Sequence, residues 1–182
     1  MSHPHPPTPY SPLPELNLLK DFEDRLDSFY ADGFELSEYG RNGFLKDPEL
    51  IDRLIPFAQA NDSGSLYALW RLDDRPDLAT LPIVVLGDEG GIHLVARGLR
   101  ELFQIIGYDS AIWVDWEEAD FGRDADDEPS TCHAEYVAWL KEHFGLAPAD
   151  DPNAVMAAAQ AEFGERFLRW VAPLIPDAVP EP

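Results

Sequence analysis

Eight carboxylates crowd one stretch of the chain: Asp115, Glu117, Glu118, Asp120, Asp124, Asp126, Asp127 and Glu128, against the single Arg123. Carboxylates at this density can hold a cation, move protons in pairs, or meet the Lys and Arg side chains of another protein. The cation reading needs a calcium loop with oxygen ligands at its first, third and fifth positions, Gly at the sixth and Glu at the twelfth. Counted from Asp124, the sixth position is Pro129 and the twelfth is Glu135, so the glycine that makes the sharp turn is missing. The proton-transfer reading singles out no pair, because acids are so numerous that any two would qualify. The third reading gains from the interleaved Trp113, Trp116 and Phe121, since interface cores favour aromatic residues. Asp124, Asp126, Asp127 and Glu128 are therefore expected to contact Lys or Arg of a partner. Asp115, Glu117, Glu118 and Asp120 extend the patch, and Trp116 and Phe121 supply apolar anchors. Trp113 serves equally well as a core residue. The competing explanation for the whole segment is a solvated loop that keeps the protein soluble.

Other chemistry fares worse. Gly87-Asp88-Glu89-Gly90-Gly91 is neither a dinucleotide fingerprint nor a Walker loop, and its two acids would repel phosphate. It reads as a hairpin turn. The five histidines are His3, His5, His93, His133 and His143. His133 and His143 lie on one expected helix, about 15 Å apart along its axis, too far to share an ion. Cys132 and His133 are neighbours, and on a helix neighbours point about 100° apart. No G-x-S-x-G or H-E-x-x-H is present. The expectation is a protein that is not an enzyme, with no catalytic residues, no cofactor and no metal site.

The whole chain supports a cationic partner. Its 182 residues hold 35 acids and 13 bases, for a formal net charge of −22. Such a surface is repelled by phosphate backbones and anionic membranes, so nucleic acid and lipid are poor direct partners and a basic protein is the complement. More than half of the excess falls in residues 111–182, which hold 16 acids against 4 bases. Cys132 is the sole cysteine, which excludes an internal disulfide and fits a reducing compartment. The N-terminal residues lack the basic and apolar regions of a secretory signal. These features place the protein in the cytoplasm.

The elements that position the acidic segment follow from periodicity. Leu16, Leu19, Phe22, Leu26 and Phe29 recur at helical spacing, which predicts a helix from Pro14 to Tyr30 ended at Asp32-Gly33. Asp47-Pro48 starts a second helix with Leu50, Ile51, Leu54 and Ile55 as its stripe, stopped by Pro56. Ser65–Arg71 alternates as a strand with Leu66, Ala68 and Trp70 on one face. Pro82–Leu86 is apolar throughout, which predicts a strand covered on both faces. With Ile92–Ala96 it makes an antiparallel hairpin. Leu99, Leu102, Phe103 and Ile106 mark a helix closed by Gly107. Ser130 or Thr131 is expected to cap another, with Tyr136, Val137, Leu140 and Phe144 on one face and Gly145 at its end. Asp151-Pro152 starts the last, carrying Met156, Ala159, Phe163, Phe167 and Trp170. The order gives an α+β fold: a compact antiparallel sheet flanked by helices, with additional C-terminal helices. Residues 1–13 and 173–182 hold nine of the 17 prolines and read as arms around a single domain of residues 14–172.

Within residues 56–106 a pattern emerges. Pro56-Phe57-Ala58-Gln59 leads to Asp62-Ser63-Gly64-Ser65-Leu66-Tyr67-Ala68-Leu69-Trp70. Leu81-Pro82-Ile83-Val84-Val85-Leu86-Gly87-Asp88-Glu89-Gly90 and Ile92-His93-Leu94-Val95-Ala96 come next, then Leu99-Arg100-Glu101-Leu102-Phe103. This resembles the SUKH superfamily of bacterial immunity proteins, related to the yeast cell-wall-assembly regulator. The SUKH-like core covers about residues 50–109, and the acidic segment and the helices of 130–172 have no counterpart in the family pattern. The resemblance implies an α+β fold and a non-catalytic protein that binds and neutralises a toxin, often a nuclease, delivered between competing cells. It assigns no site residues. A nuclease has a basic cleft, so an acidic protein suits that role. The alternatives are a regulatory or scaffold module that binds a cellular protein, perhaps reached through the proline-rich arms, and an enzyme or small-molecule binder.

Overall fold

The computed structural model describes residues 7–43 and 45–175. Helices α1 (Pro14–Glu23) and α2 (Pro48–Arg53) frame a short strand β1 (Glu35–Leu36). Strands β2 (Leu54–Gln59), β3 (Leu66–Trp70), β4 (Ile83–Leu86) and β5 (Ile92–Ala96) follow, then α3 (Leu99–Gly107). A small hairpin, β6 (Ile112–Val114) and β7 (Ala119–Phe121), precedes α4 (His133–Phe144) and α5 (Pro152–Val171). The five-stranded sheet has the order β1-β2-β3-β4-β5 and every pairing in it is antiparallel. The fold is α+β, as its periodicities predict.

Side chains alternate across this sheet, so successive residues feed two cores. Tyr67, Leu69, Ile83, Val85 and Val95 join α1, α3 and α4 on one face. Ala68, Trp70, Val84, Leu86, Ile92 and Leu94 meet Phe167 and Val171 of α5 on the other. β4 therefore has covered faces and paired edges, which is why it needs no polar residue. Burial of each large apolar side chain here stabilises by about 1.5–3 kcal/mol. Ala68, Trp70, Val84, Leu86, Leu94, Leu102 and Phe103 are buried, and Leu66 packs at the rim of the second cluster.

Several boundaries differ from the periodicity, each for a local reason. α1 ends at Glu23, not Tyr30. The chain turns there so that Tyr30 can stack on Tyr136 at 5.3 Å and donate its hydroxyl to Glu23 Oε2 at 2.7 Å. Phe29, placed on the apolar stripe by spacing, is 63% exposed. Gly33 takes a φ of +68° in a later turn, where a Cβ would lie 2.9 Å from Asn61 Cα. Asp47 caps α2 as expected, accepting from Glu49 N and Leu50 N. Leu54 and Ile55 nevertheless belong to β2, and Pro56 lies inside that strand where its register shifts before Ala58. A strand tolerates proline at such an irregularity because no ladder donor is required there. Gly107 is the last residue of α3 rather than its left-handed cap; that conformation falls to Asp109, at φ +63°. Gly107 is needed instead for close approach, since a Cβ there would sit 2.9 Å from Pro148. α4 is entered at Cys132 without a side-chain cap, so neither Ser130 nor Thr131 caps it. Gly145 does end α4, with φ +64°, and Asp151 caps α5 through Ala154 N.

The packed body extends past the expected limits of 14 and 172. Leu13 is buried, and Tyr10 donates its hydroxyl to the carbonyls of Ser37 and Phe57. At the other end Leu174 and Ile175 pack against the second core. Residues 1–6 and 176–182 of the two proline-rich arms, and His3 and His5 with them, lie outside the described residues.

Candidate functional site

The acidic segment is not a plain loop. Ile112-Trp113-Val114 and Ala119-Asp120-Phe121 pair residue for residue as a hairpin, Ile112 opposite Phe121 and Trp113 opposite Asp120. Alternation turns Ile112 and Phe121 into the core and leaves Trp113 and Asp120 exposed. This short period-2 signal was present in the sequence, masked by the acids around it.

Four sets of contacts bolt the hairpin to the larger sheet and to α5. The Asn61 side chain accepts from Gly64 N and Ser65 N at the start of β3 and donates to the Ile112 carbonyl at 3.0 Å. Asn153 of α5 accepts from Phe121 N and donates to Phe121 O, both at 2.9 Å, supplying the two bonds of a missing strand neighbour. His93 Nε2 lies 2.7 Å from the Asp115 carbonyl, so that nitrogen carries the proton and donates. The fourth set is the glycine turn. A Cβ on Gly91 would come within 2.1 Å of Asp115 O, and one on Gly90 within 2.1 Å of the Trp116 ring. The glycines of 87–91 thus serve the approach of the acidic hairpin. Asp88 inside that turn accepts from the hydroxyls of Ser65 and Ser63, and these bonds hold its carboxyl below its usual range.

The expected site residues divide accordingly. Glu117, Glu118, Asp120, Asp124, Asp126, Asp127 and Glu128 are exposed, and Trp116 is 46% exposed. Phe121 is not an apolar anchor: it is 4% exposed and belongs to the core. Trp113 takes that role instead, at 54% exposure. Two acids are partly committed within the segment. Asp115 Oδ1 accepts from Glu117 N and Glu118 N, shaping the hairpin turn, and Asp127 Oδ2 accepts from Asp124 N. Arg123 donates to the Asp127 and Tyr108 carbonyls, so the one base in the segment braces it from within.

Sequence reasoning missed the concave surface beside the hairpin. A groove of about 610 Å³ runs between β5, α5 and the β6–β7 turn. Its lining includes Glu117 and Glu118 with Glu165 of α5, and no Lys or Arg. A second cleft, of about 860 Å³, lies between α1 and α4 beside Trp139. Among the described residues no group of three His, Cys, Asp or Glu could hold a metal ion. Among them, too, no helix is long and apolar enough to cross a membrane. No family model, no curated protein and no solved structure matches this chain.

Proposed function

We propose that this chain is a non-catalytic immunity-type protein of the cytoplasm that binds and neutralises a basic toxin domain, of which a nuclease is the natural example. The observation that carries the reading is the acidic hairpin and its extension, held rigidly on the sheet with Trp113 and Trp116 among exposed acids. Exposed acids on a fixed frame complement a basic cleft and steer association, toward about 10⁸–10⁹ M⁻¹s⁻¹ at low salt. The aromatic faces supply desolvated contact area that charge alone does not. The resemblance of residues 56–106 to the SUKH superfamily points the same way.

Protection tests the reading. Cells producing each of a panel of basic nuclease toxin domains are grown with and without this chain. Growth restored against one toxin, and lost for Asp124→Lys/Asp126→Lys/Glu128→Lys, supports it. No protection against any member sinks the immunity role, and full protection by the reversed variant sinks the acidic surface. The rival scaffold reading is addressed by deleting residues 1–9. A deletion through residue 13, by contrast, would also remove Tyr10 and Leu13 from the core.

A further inference from the structure

The groove between β5, α5 and the β6–β7 turn combines three properties. Its floor is apolar: Ile92 and Leu94 from the sheet, with Phe167 and the 43% exposed Leu168 from α5. Its rim is anionic on both sides, Glu117 and Glu118 on the hairpin and Glu165 across from them. Among the described residues Glu165 is engaged only by Arg169 on its own helix, and that pair is largely exposed, so it is weak and readily exchanged for another cation. The third property is the open side of β5. β5 is the last strand of the sheet, and its Leu94 carbonyl is met by the side-chain amide of Gln160 at 3.2 Å, not by a further strand.

We propose that this groove receives an extended, lysine- or arginine-bearing segment of the basic protein partner, with an apolar side chain on the floor and flanking cations at the glutamate rim. The proposal rests on the reading of the chain as a binder of a basic protein and names where the partner's chain enters. Alternation suits both halves of the surface. In an extended segment, successive side chains point to opposite sides, so an apolar residue faces the floor while its neighbours reach the rim. The volume lies in the range of about 300–1,000 Å³ typical of clefts that hold ligands. Gly164 marks the wall: a Cβ added there meets nothing within 4 Å, so α5 leaves this stretch of the groove open.

Gly164 also supplies the test. Gly164→Trp fills the groove from a helix position where replacing glycine favours the helix. The probe is a short fluorescein-labelled peptide alternating lysine with leucine, followed by anisotropy on the full chain at physiological salt. The wild type is expected to bind it about tenfold more tightly than a peptide of lysine alone carrying the same charge. Gly164→Trp, and separately Glu117→Gln/Glu118→Gln/Glu165→Gln, should each weaken binding about tenfold or more. Gly164→Ala should bind like the wild type. Unchanged binding by Gly164→Trp overturns the groove, as does equal binding of the lysine-only peptide. Displacement of the peptide by spermine at equal concentration assigns the groove to small cations and also overturns it. Protection lost in the reversed variant but kept in Gly164→Trp would remove the groove and leave the acidic surface standing.

Discussion

The indole of Trp116 occupies the space that a side chain at Gly90 would fill, within 2.1 Å of where its Cβ would stand. The exposed aromatic of the acidic hairpin and the glycine turn of the main sheet are thus two halves of one contact. Gly90 also sits at φ +118°, which side chains rarely adopt. Gly90→Ala is therefore expected to cost about 2–4 kcal/mol, the sum of backbone strain and overpacking, and to release the hairpin turn. Thermal melting reads the first effect, and a red shift of tryptophan emission reads the second. A variant as stable as the wild type would mean that the turn and the hairpin move independently.

Asp109 should be the least replaceable acid. It is 4% exposed, holds the left-handed position after α3, and accepts from Asp32 N, Ser130 N and Ser130 Oγ. Asp109→Ala leaves three donors without an acceptor, at a cost of about 3 kcal/mol or more. Asp109→Asn keeps one acceptor and tolerates the backbone, so it should cost about half as much. Denaturant midpoints of the two variants check the ranking.

Glu23 should make the fold more stable in mild acid than its charge alone suggests. Burial pushes its carboxyl up, against the opposing hydrogen bonds from Tyr30 Oη and Leu36 N. Because the folded-state value lies above the unfolded one, its contribution is complete below the unfolded value and is lost as pH rises through the folded one. Both bonds end on a single oxygen, Oε2, which a glutamine can supply. Glu23→Gln should therefore raise the melting temperature by about 2–4 °C at pH 8, the shift of about 1 kcal/mol in a chain of this size. The gain should vanish toward about pH 4, where the native carboxyl is protonated. A gain that persists in acid would trace the effect to packing.

Asn61→Asp tests the tie between the two sheets. The substitution keeps the acceptor for Gly64 N and Ser65 N but removes the donor to the Ile112 carbonyl. A loss of about 1–3 kcal/mol is expected, with faster hydrogen exchange across 112–121. Uniform exchange changes through the main sheet would instead assign Asn61 to the β2–β3 turn alone.

What could be read from the chain, and what could not, follows the reach of each interaction. β3, β4 and β5 were legible because alternation and apolar runs report directly on the two cores. Leu54 and Ile55 read as helical because each lies four residues after an apolar residue of α2, Leu50 and Ile51, a spacing that β-pairing overrides. Phe121 reads as an anchor from the sequence because aromatic type says nothing about facing; its pairing with Ile112 decides that. The groove was invisible because Leu94, Glu118 and Glu165 are brought together only by the packing of α5, which no local pattern encodes.

The strand order β1-β2-β3-β4-β5 is also the chain order. The β2–β3 and β4–β5 pairings close over short turns, while β1–β2 spans α2 and β3–β4 a longer loop, so much of the sheet forms from contacts near in sequence and costs little loop-closure entropy. The contact of Phe167 with Trp70, 5.0 Å between ring centroids, spans more than half the chain by comparison. A ribosome would have delivered the whole meander before α5 emerged, leaving Trp70, Val84 and Leu94 without their cover. During synthesis, the face that α5 later seals is the surface most in need of a chaperone.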